Sequence, residues 1–310
     1  MRPSRFPDRL WPTERAHRAE SAIAPGERAR VTRSAVGGRA FVHQRACLPP
    51  PTASESPTVL AQELTGVGVD VSNVRYTGTD ESSGRFEDAD TATYGFEDGV
   101  ALSTGWVDDL AGPNSSDGTS RALGTAGDAD LTGPAGYGTA DASVLEFDFV
   151  PAADTVFVSY VFASEEHSEF ANEQYNDVFA FFVNGTNCAI TDDGAPVSVN
   201  TINGGNPKSG SGPERPDLYR DNRDGSLGTE ADGLTVVLVC DADVRAGQRT
   251  PVPDPEGARP AGQVGQGMAG PSGHPSGSDA RRRLCSMAVP AGFRGAGPAP
   301  SPDARPPGGC

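Results

Sequence analysis

Residues 154–185 read DTVFVSYVFASEEHSEFANEQYNDVFAFFVNG, the most apolar segment of a polar chain. Two runs in it alternate with the period of two that a pleated strand imposes. In the first, Val156, Val158, Tyr160 and Phe162 share one face, and Phe157 and Val161 the other. In the second, Val178, Ala180 and Phe182 alternate with Phe179, Phe181 and Val183. Both faces of both runs are apolar, which predicts strands covered on both sides at the centre of a layered β-domain. Phe179, Phe181 and Phe182 are therefore expected in the core rather than in a ligand groove. Between the runs lies SEEHSEFANEQYND, expected to be an acidic, solvent-facing loop too long for a tight hairpin.

Working outward, Ser143 to Val150 alternates Leu145, Phe147 and Phe149 with Glu146 and Asp148, as a half-buried strand does. Strands are also predicted over Val67–Tyr76, within Tyr94–Thr104, over Pro196–Asn203 and over Gly233–Cys240, and a short helix over Thr58–Leu64 capped by Thr58. Trp106–Gly138, rich in Gly, Asp, Ser and Asn, is a long segment of the kind that is usually functional or ion-bound. About eight strands with little helix give an all-β chain, an antiparallel β-sandwich or jelly roll.

The flanks differ from this block. Residues 1–57 hold ten Arg/Lys and five Asp/Glu, residues 58–250 nine and 33, and residues 251–310 six and four. Residues 1–57 show no hydrophobic period and no apolar signal core, and are expected to be disordered and not the native start of the coding sequence. Residues 249–310 are dominated by Pro, Gly, Ala and Arg and are also expected to be disordered. The domain is expected to span 58–248. Its acidic excess disfavours nucleic acid and suits divalent cations. No apolar run approaches the roughly 20 residues of a membrane helix. Of five cysteines, Cys188 and Cys240 lie in strand-like sequence; a disulfide between them suits an exported protein, with two buried free thiols as the alternative.

Six segments, GVALSTG (99–105), GDADL (127–131), VLEFDFVPAADTVFVSYVFASEEHSEF (144–170), NDVFAFFVNG (176–185), VSVNTIN (197–203) and DGLTVVL (232–238), together resemble the bacterial choice-of-anchor L domain. The resemblance implies an exported or cell-surface β-domain with no established catalytic activity. The family's usual last strand-bearing segment, after Val244-Arg245-Ala246-Gly247, is replaced by the Arg/Pro/Gly/Ala tail, as a shifted reading frame would produce. The domain would then lack one or two strands and carry unpaired edges.

The candidate metal ligands are Asp128, Asp130, Glu165, Glu166, Asn176 and Asp177, hard oxygen donors of the kind Ca²⁺ takes; the bland alternative is a solvated acidic loop with turn-forming Asp and Asn. DNRDG (221–225) fails as a calcium loop, because Arg220 and Ala231 fall on its first and last ligand positions. Paired carboxylates such as Glu146 and Glu166 could serve glycoside hydrolysis at a suitable separation, although Glu146 reads simply as the polar face of a strand. His167 has no His or Cys partner at ligand spacing, and Asn114 and Asn184 fit a glycosylation pattern too short to carry weight. The expectation is a non-enzymatic exported module for surface display or adhesion, extracellular or at the cell surface, with a glycan or protein as its surface ligand. A carbohydrate-binding or carbohydrate-hydrolysing domain is the alternative.

Overall fold

The computed structural model describes residues 50–250 other than Val67 and Ser120, and, as backbone strands, residues 262–269, 285–290 and 294–295. These fall in one compact unit, Gln44–Cys310. The expected disorder of residues 1–49, and of the tail outside those strands, lies outside the described residues.

Strands run in the order β1 (Thr52–Ala53), β2 (Asp70–Thr77), β3 (Ser83–Phe86), β4 (Gly99–Ser103), β5 (Thr139–Val150), β6 (Thr155–Ser164), β7 (Asn176–Val183), β8 (Thr186–Asn187) and β9 (Val197–Ser198). They continue with β10 (Tyr219–Asp221), β11 (Gly233–Thr235), β12 (Leu238–Asp243), β13 (Gly262–Ala269), β14 (Cys285–Pro290) and β15 (Arg294–Gly295). Helices are α1 (Pro57–Thr65), α2 (Thr91–Tyr94) and α3 (Ala129–Ala135). The cap of α1 is Ser56 rather than Thr58: its side chain accepts from the Val59 amide, and Pro57, which lacks an amide to satisfy, fills the first turn.

The strands form two antiparallel sheets packed as a sandwich. One has nine strands, ordered β1-β3-β4-β14-β6-β11-β10 with β12 and β15 also on β6; the other has six, ordered β2-β5-β13-β7-β8 with β9 on β7. β6 and β7 therefore sit in opposite sheets and face each other. Val156, Val158, Tyr160 and Phe162 of β6 meet Phe179, Phe181 and Val183 of β7 in the main core, with Tyr160 and Phe179 ring centres 4.7 Å apart. The outward faces are covered as well. Val161 and Ala163 pack with Phe86, Tyr94 and Leu110, while Val178, Ala180 and Phe182 pack under Leu131 and Ala135 of α3.

Three local expectations change. Pro196–Asn203 is a strand only at Val197–Ser198, beyond which Ser198 and Thr201 bond each other locally. Gly233–Cys240 is two strands, because Leu234 opposes Ala163 while Leu238 opposes Tyr160. One extra residue is accommodated there as in a bulge. Beyond Gln248, where no strand period was found, β13 lies between β5 and β7 and β14 between β4 and β6. Position between two partner strands, not local pattern, makes these segments strands.

Cys188, just after β8, is bonded to Cys240 of β12, with Cα atoms 5.1 Å apart, so the bridge ties one sheet to the other. Among the described residues, no helix is long and apolar enough to cross a membrane.

Candidate functional site

One end of the sandwich gathers three stretches far apart in sequence: 111–119, 164–177 and 228–233. Ser164 ends β6 in register with Gly233, the start of β11, so the residues beyond each strand arrive at the same place. The fit is close: a Cβ on Gly233 would stand 2.5 Å from the Tyr219 ring and 2.8 Å from the His167 Cβ.

The segment after Ser164 is not the solvated loop its polarity predicts. Ser164, Glu165, Glu166, His167, Ser168 and Glu169 are all buried. The physical reason is that hydrogen bonds from distant loops replace water. The Ser164 hydroxyl donates to Asp177 Oδ2 at 2.8 Å and accepts from the Glu166 amide at 2.9 Å. The Thr119 amide donates to Glu165 Oε2 at 3.2 Å, and its hydroxyl to Glu230 Oε1 at 2.5 Å. Ser115 donates its amide and hydroxyl to Glu230, and Asn114 Nδ2 donates to Asp232 Oδ1 at 2.6 Å. Asn222 holds the last stretch from below, donating to the carbonyls of Thr229 and Ala231.

Five carboxylates, Glu165, Glu166, Asp177, Glu230 and Asp232, are thus buried together at this end as one acidic framework, and hydroxyl or amide donors from the neighbouring loops reach Glu165, Asp177, Glu230 and Asp232. Burying an ionised carboxylate costs several kcal/mol unless its surroundings compensate, so the donors around these groups matter to the stability of this end. Above it opens a cleft of about 400 Å³ lined by Asn114, Asp117, Glu169, Lys208 and Arg223, with Asp232 contributing to its wall. Lys208 Nζ lies 4.0 Å from Glu169, and Arg223 pairs with Asp221, holding that carboxyl below its usual range.

The six predicted ligands divide. Glu165, Glu166 and Asp177 belong to the framework. Asn176 sits beside it but bonds elsewhere, its Nδ2 to the Ala135 carbonyl and its Oδ1 to the Asn200 amide. Asp128 is the cap of α3, accepting from the amides of Asp130 and Leu131, and Asp130 lies in the first turn. Ala135 marks the other end of that helix, about 10 Å away at 1.5 Å per residue. Glu230, Asp232 and Thr119 were not singled out in the sequence, and Asn114 only as a glycosylation-pattern match. Glu230 and Asp232 alternate in TEADG (229–233), which runs into the DGLTVVL segment (232–238) at Asp232, the one signal that could have found them. Among the described residues, no group of three or more His, Cys, Asp or Glu is arranged to hold a metal ion.

Glu146 is set apart from the cleft. It opposes Arg75 on β2, burial raises its pKa, and the charges it feels are Arg75, Asp128 and Asp130. His167 is buried, with Nε2 2.9 Å from the Ile202 carbonyl and its ring 5.0 Å from that of Tyr219; burial lowers its pKa.

A disulfide-tied antiparallel sandwich with its irregular loops joined at one end defines the domain as a β-sandwich module. The family model for the Choice-of-anchor L domain matches residues 51–250, and the chain belongs to that family. The family is not a known enzyme family, and it suggests a surface-associated module at the cell surface or outside the cell. Comparisons with curated proteins and with solved structures found no match.

Proposed function

We propose that this chain is a non-enzymatic module for surface display or adhesion, and that its cleft end is the binding face, ordered by calcium. The carrying observation is the framework of five buried carboxylates beneath an open polar cleft. Binding sites are commonly built from loops held on a rigid sandwich, and here the loops are fixed to one another by the groups they bury. The donors Glu165, Glu166, Asp177, Glu230 and Asp232, with nearby hydroxyl and carbonyl oxygens, have the hard-oxygen chemistry that Ca²⁺ takes. Because no tight carboxylate trio is assembled among the described residues, a cation would recruit those neutral oxygens too. The Cys188–Cys240 bridge supports an oxidising, exported setting.

Calorimetric titration of Ca²⁺ into chelator-stripped protein tests the calcium part. The expected result is a saturable heat that Glu230→Gln abolishes and Asp128→Asn preserves. No heat, or heat lost only in Asp128→Asn, would overturn it.

A carbohydrate-binding role is the second reading, favoured by the side-chain amide, carboxylates and cations lining the cleft. A glycan array separates the two, since retention lost in Asn114→Ala would favour a glycan ligand. A hydrolase is less well supported, because Glu146 lies among Arg75, Asp128 and Asp130 while Glu166 lies in the framework. Hydrolysis lost in Glu166→Gln and kept in Asp128→Asn would reinstate it.

A further inference from the structure

The end of the sandwich away from the cleft carries a cavity of its own. β7 leaves the cleft end at Asn176 and Asp177, and its far end, Val183, turns through Asn184 and Gly185 to pair with Thr186. Both turn residues have positive φ, 50° and 76°, the geometry that an Asn-Gly pair adopts in a two-residue hairpin. β12 reaches the same end at Asp243, opposite Thr155, the first residue of β6. There the chain is clamped to the turn between β5 and β6. The Val244 amide donates to the Asp154 carbonyl and the Ala246 amide to Asp154 Oδ1, each at 2.9 Å. The Gly247 amide donates to the Pro151 carbonyl at 2.8 Å, and the Thr250 hydroxyl to the Phe149 carbonyl at 2.7 Å. These bonds fix the backbone that carries Arg245, Gln248 and Arg249. With Asn184 and Asp243, those three residues line a cavity of about 300 Å³.

The charges in this cavity are unlike those of the rest of the domain. Residues 58–250 hold nine Arg/Lys against 33 Asp/Glu, so a cation has carboxylates within easy reach. Five of the nine, Arg85, Arg121, Lys208, Arg215 and Arg223, are ion-paired. Arg220 donates to the carbonyls of Ala92 and Thr93, and Arg75 opposes Glu146. The remaining two are Arg245 and Arg249, and both stand in the one cavity. Arg249 donates to the Ser72 hydroxyl, and neither arginine has an ion pair among the described residues. Two arginines against one aspartate leave the cavity a net positive charge, and concave walls focus that potential on whatever enters.

We infer that this cavity is a second binding site, for a single sugar unit that carries one carboxylate among its hydroxyls. A guanidinium presents a planar fork of donors that matches a carboxylate bidentately. Asp243 accepts from hydroxyls and disfavours a doubly charged group such as phosphate. Asn184 and Gln248 each offer a donor and an acceptor, as neighbouring hydroxyls require. A volume at the lower end of the range for ligand pockets suits one such unit rather than a long chain. The site is separate from the cleft and depends neither on calcium nor on the role proposed for the cleft end.

The test uses the full chain in calcium-free buffer, with glucuronate as the probe and glucose and inorganic phosphate as controls in ligand-observed NMR titrations. Glucuronate is expected to bind roughly tenfold or more tightly than glucose, which has its shape without its carboxylate, and than phosphate. Arg245→Gln changes an exposed side chain and none of the clamp bonds. It should lower glucuronate affinity about tenfold while the thermal unfolding midpoint stays as in the parent. Lys208→Gln, in the cleft, should leave the affinity unchanged. Phosphate binding as tightly as glucuronate would overturn the assignment to a sugar acid. Equal binding of glucose and glucuronate, binding of neither, or a loss in Lys208→Gln rather than in Arg245→Gln would overturn the site itself.

Discussion

Asn222 shows what holds the cleft end together at the level of single side chains. It is buried, donates to the carbonyls of Thr229 and Ala231 and accepts from the Leu227 amide, so one amide closes a whole turn. Asn222→Leu keeps only the branched outline and loses three hydrogen bonds at about 1 kcal/mol each, so chemical denaturation should show a loss of about 3 kcal/mol or more. His167 sets a pH dependence. Its folded pKa lies below its unfolded one because burial disfavours the cation. The unfolded chain therefore takes up the proton first, and stability present above about pH 6.5 is lost as pH falls below it. Denaturation midpoints should therefore fall as pH drops from 7 to 5, and in His167→Gln that fall should be shallower. Side chains of this kind were only partly foreseeable. The acidic residues after Ser164 stand out in the sequence, but their burial does not. Polarity alone says solvent, and the donors that replace solvent, Asn114, Ser115 and Thr119, come from a loop about 50 residues earlier in the chain.

At the level of elements, periodicity recovered the strands whose own side chains decide the matter. β6 and β7 alternate between two apolar environments, and β5 puts Leu145, Phe147 and Phe149 in the main core as its alternation predicts, although Asp148 on its other face is buried rather than solvated. It failed where pairing decides. β13 has no strand pattern, and the bulge between β11 and β12 exists only because of how β6 runs beside them. It also says nothing of caps: in GDADL the Asp128 carboxylate accepts from the Asp130 and Leu131 amides as the start of α3, a role that no strand period marks. The Cys188–Cys240 bridge was among the alternatives the strand contexts left open, and the structure selects it. It joins residues 52 apart in sequence across the two sheets. Removing a closed loop of that length from the constrained unfolded ensemble costs about 4 kcal/mol in the chain-entropy account. The Cys188→Ala/Cys240→Ala variant should unfold at correspondingly lower denaturant, with the change unaffected by added calcium.

For the molecule as a whole, the two ends of the sandwich are built differently. One is tied by the disulfide and by the Val244 and Thr250 amides, which donate to the carbonyls of Asp154 and Phe149. The other depends on carboxylates buried under loops, and it is this end that the proposal makes responsive to a cation. The most direct test is hydrogen exchange measured by mass spectrometry on the full chain, in chelator and in millimolar calcium. Slower exchange at 114–119, 165–170 and 228–232 in calcium, with 128–135 unchanged, is the predicted result. Unchanged exchange at those three stretches, or a change confined to 128–135, would contradict it.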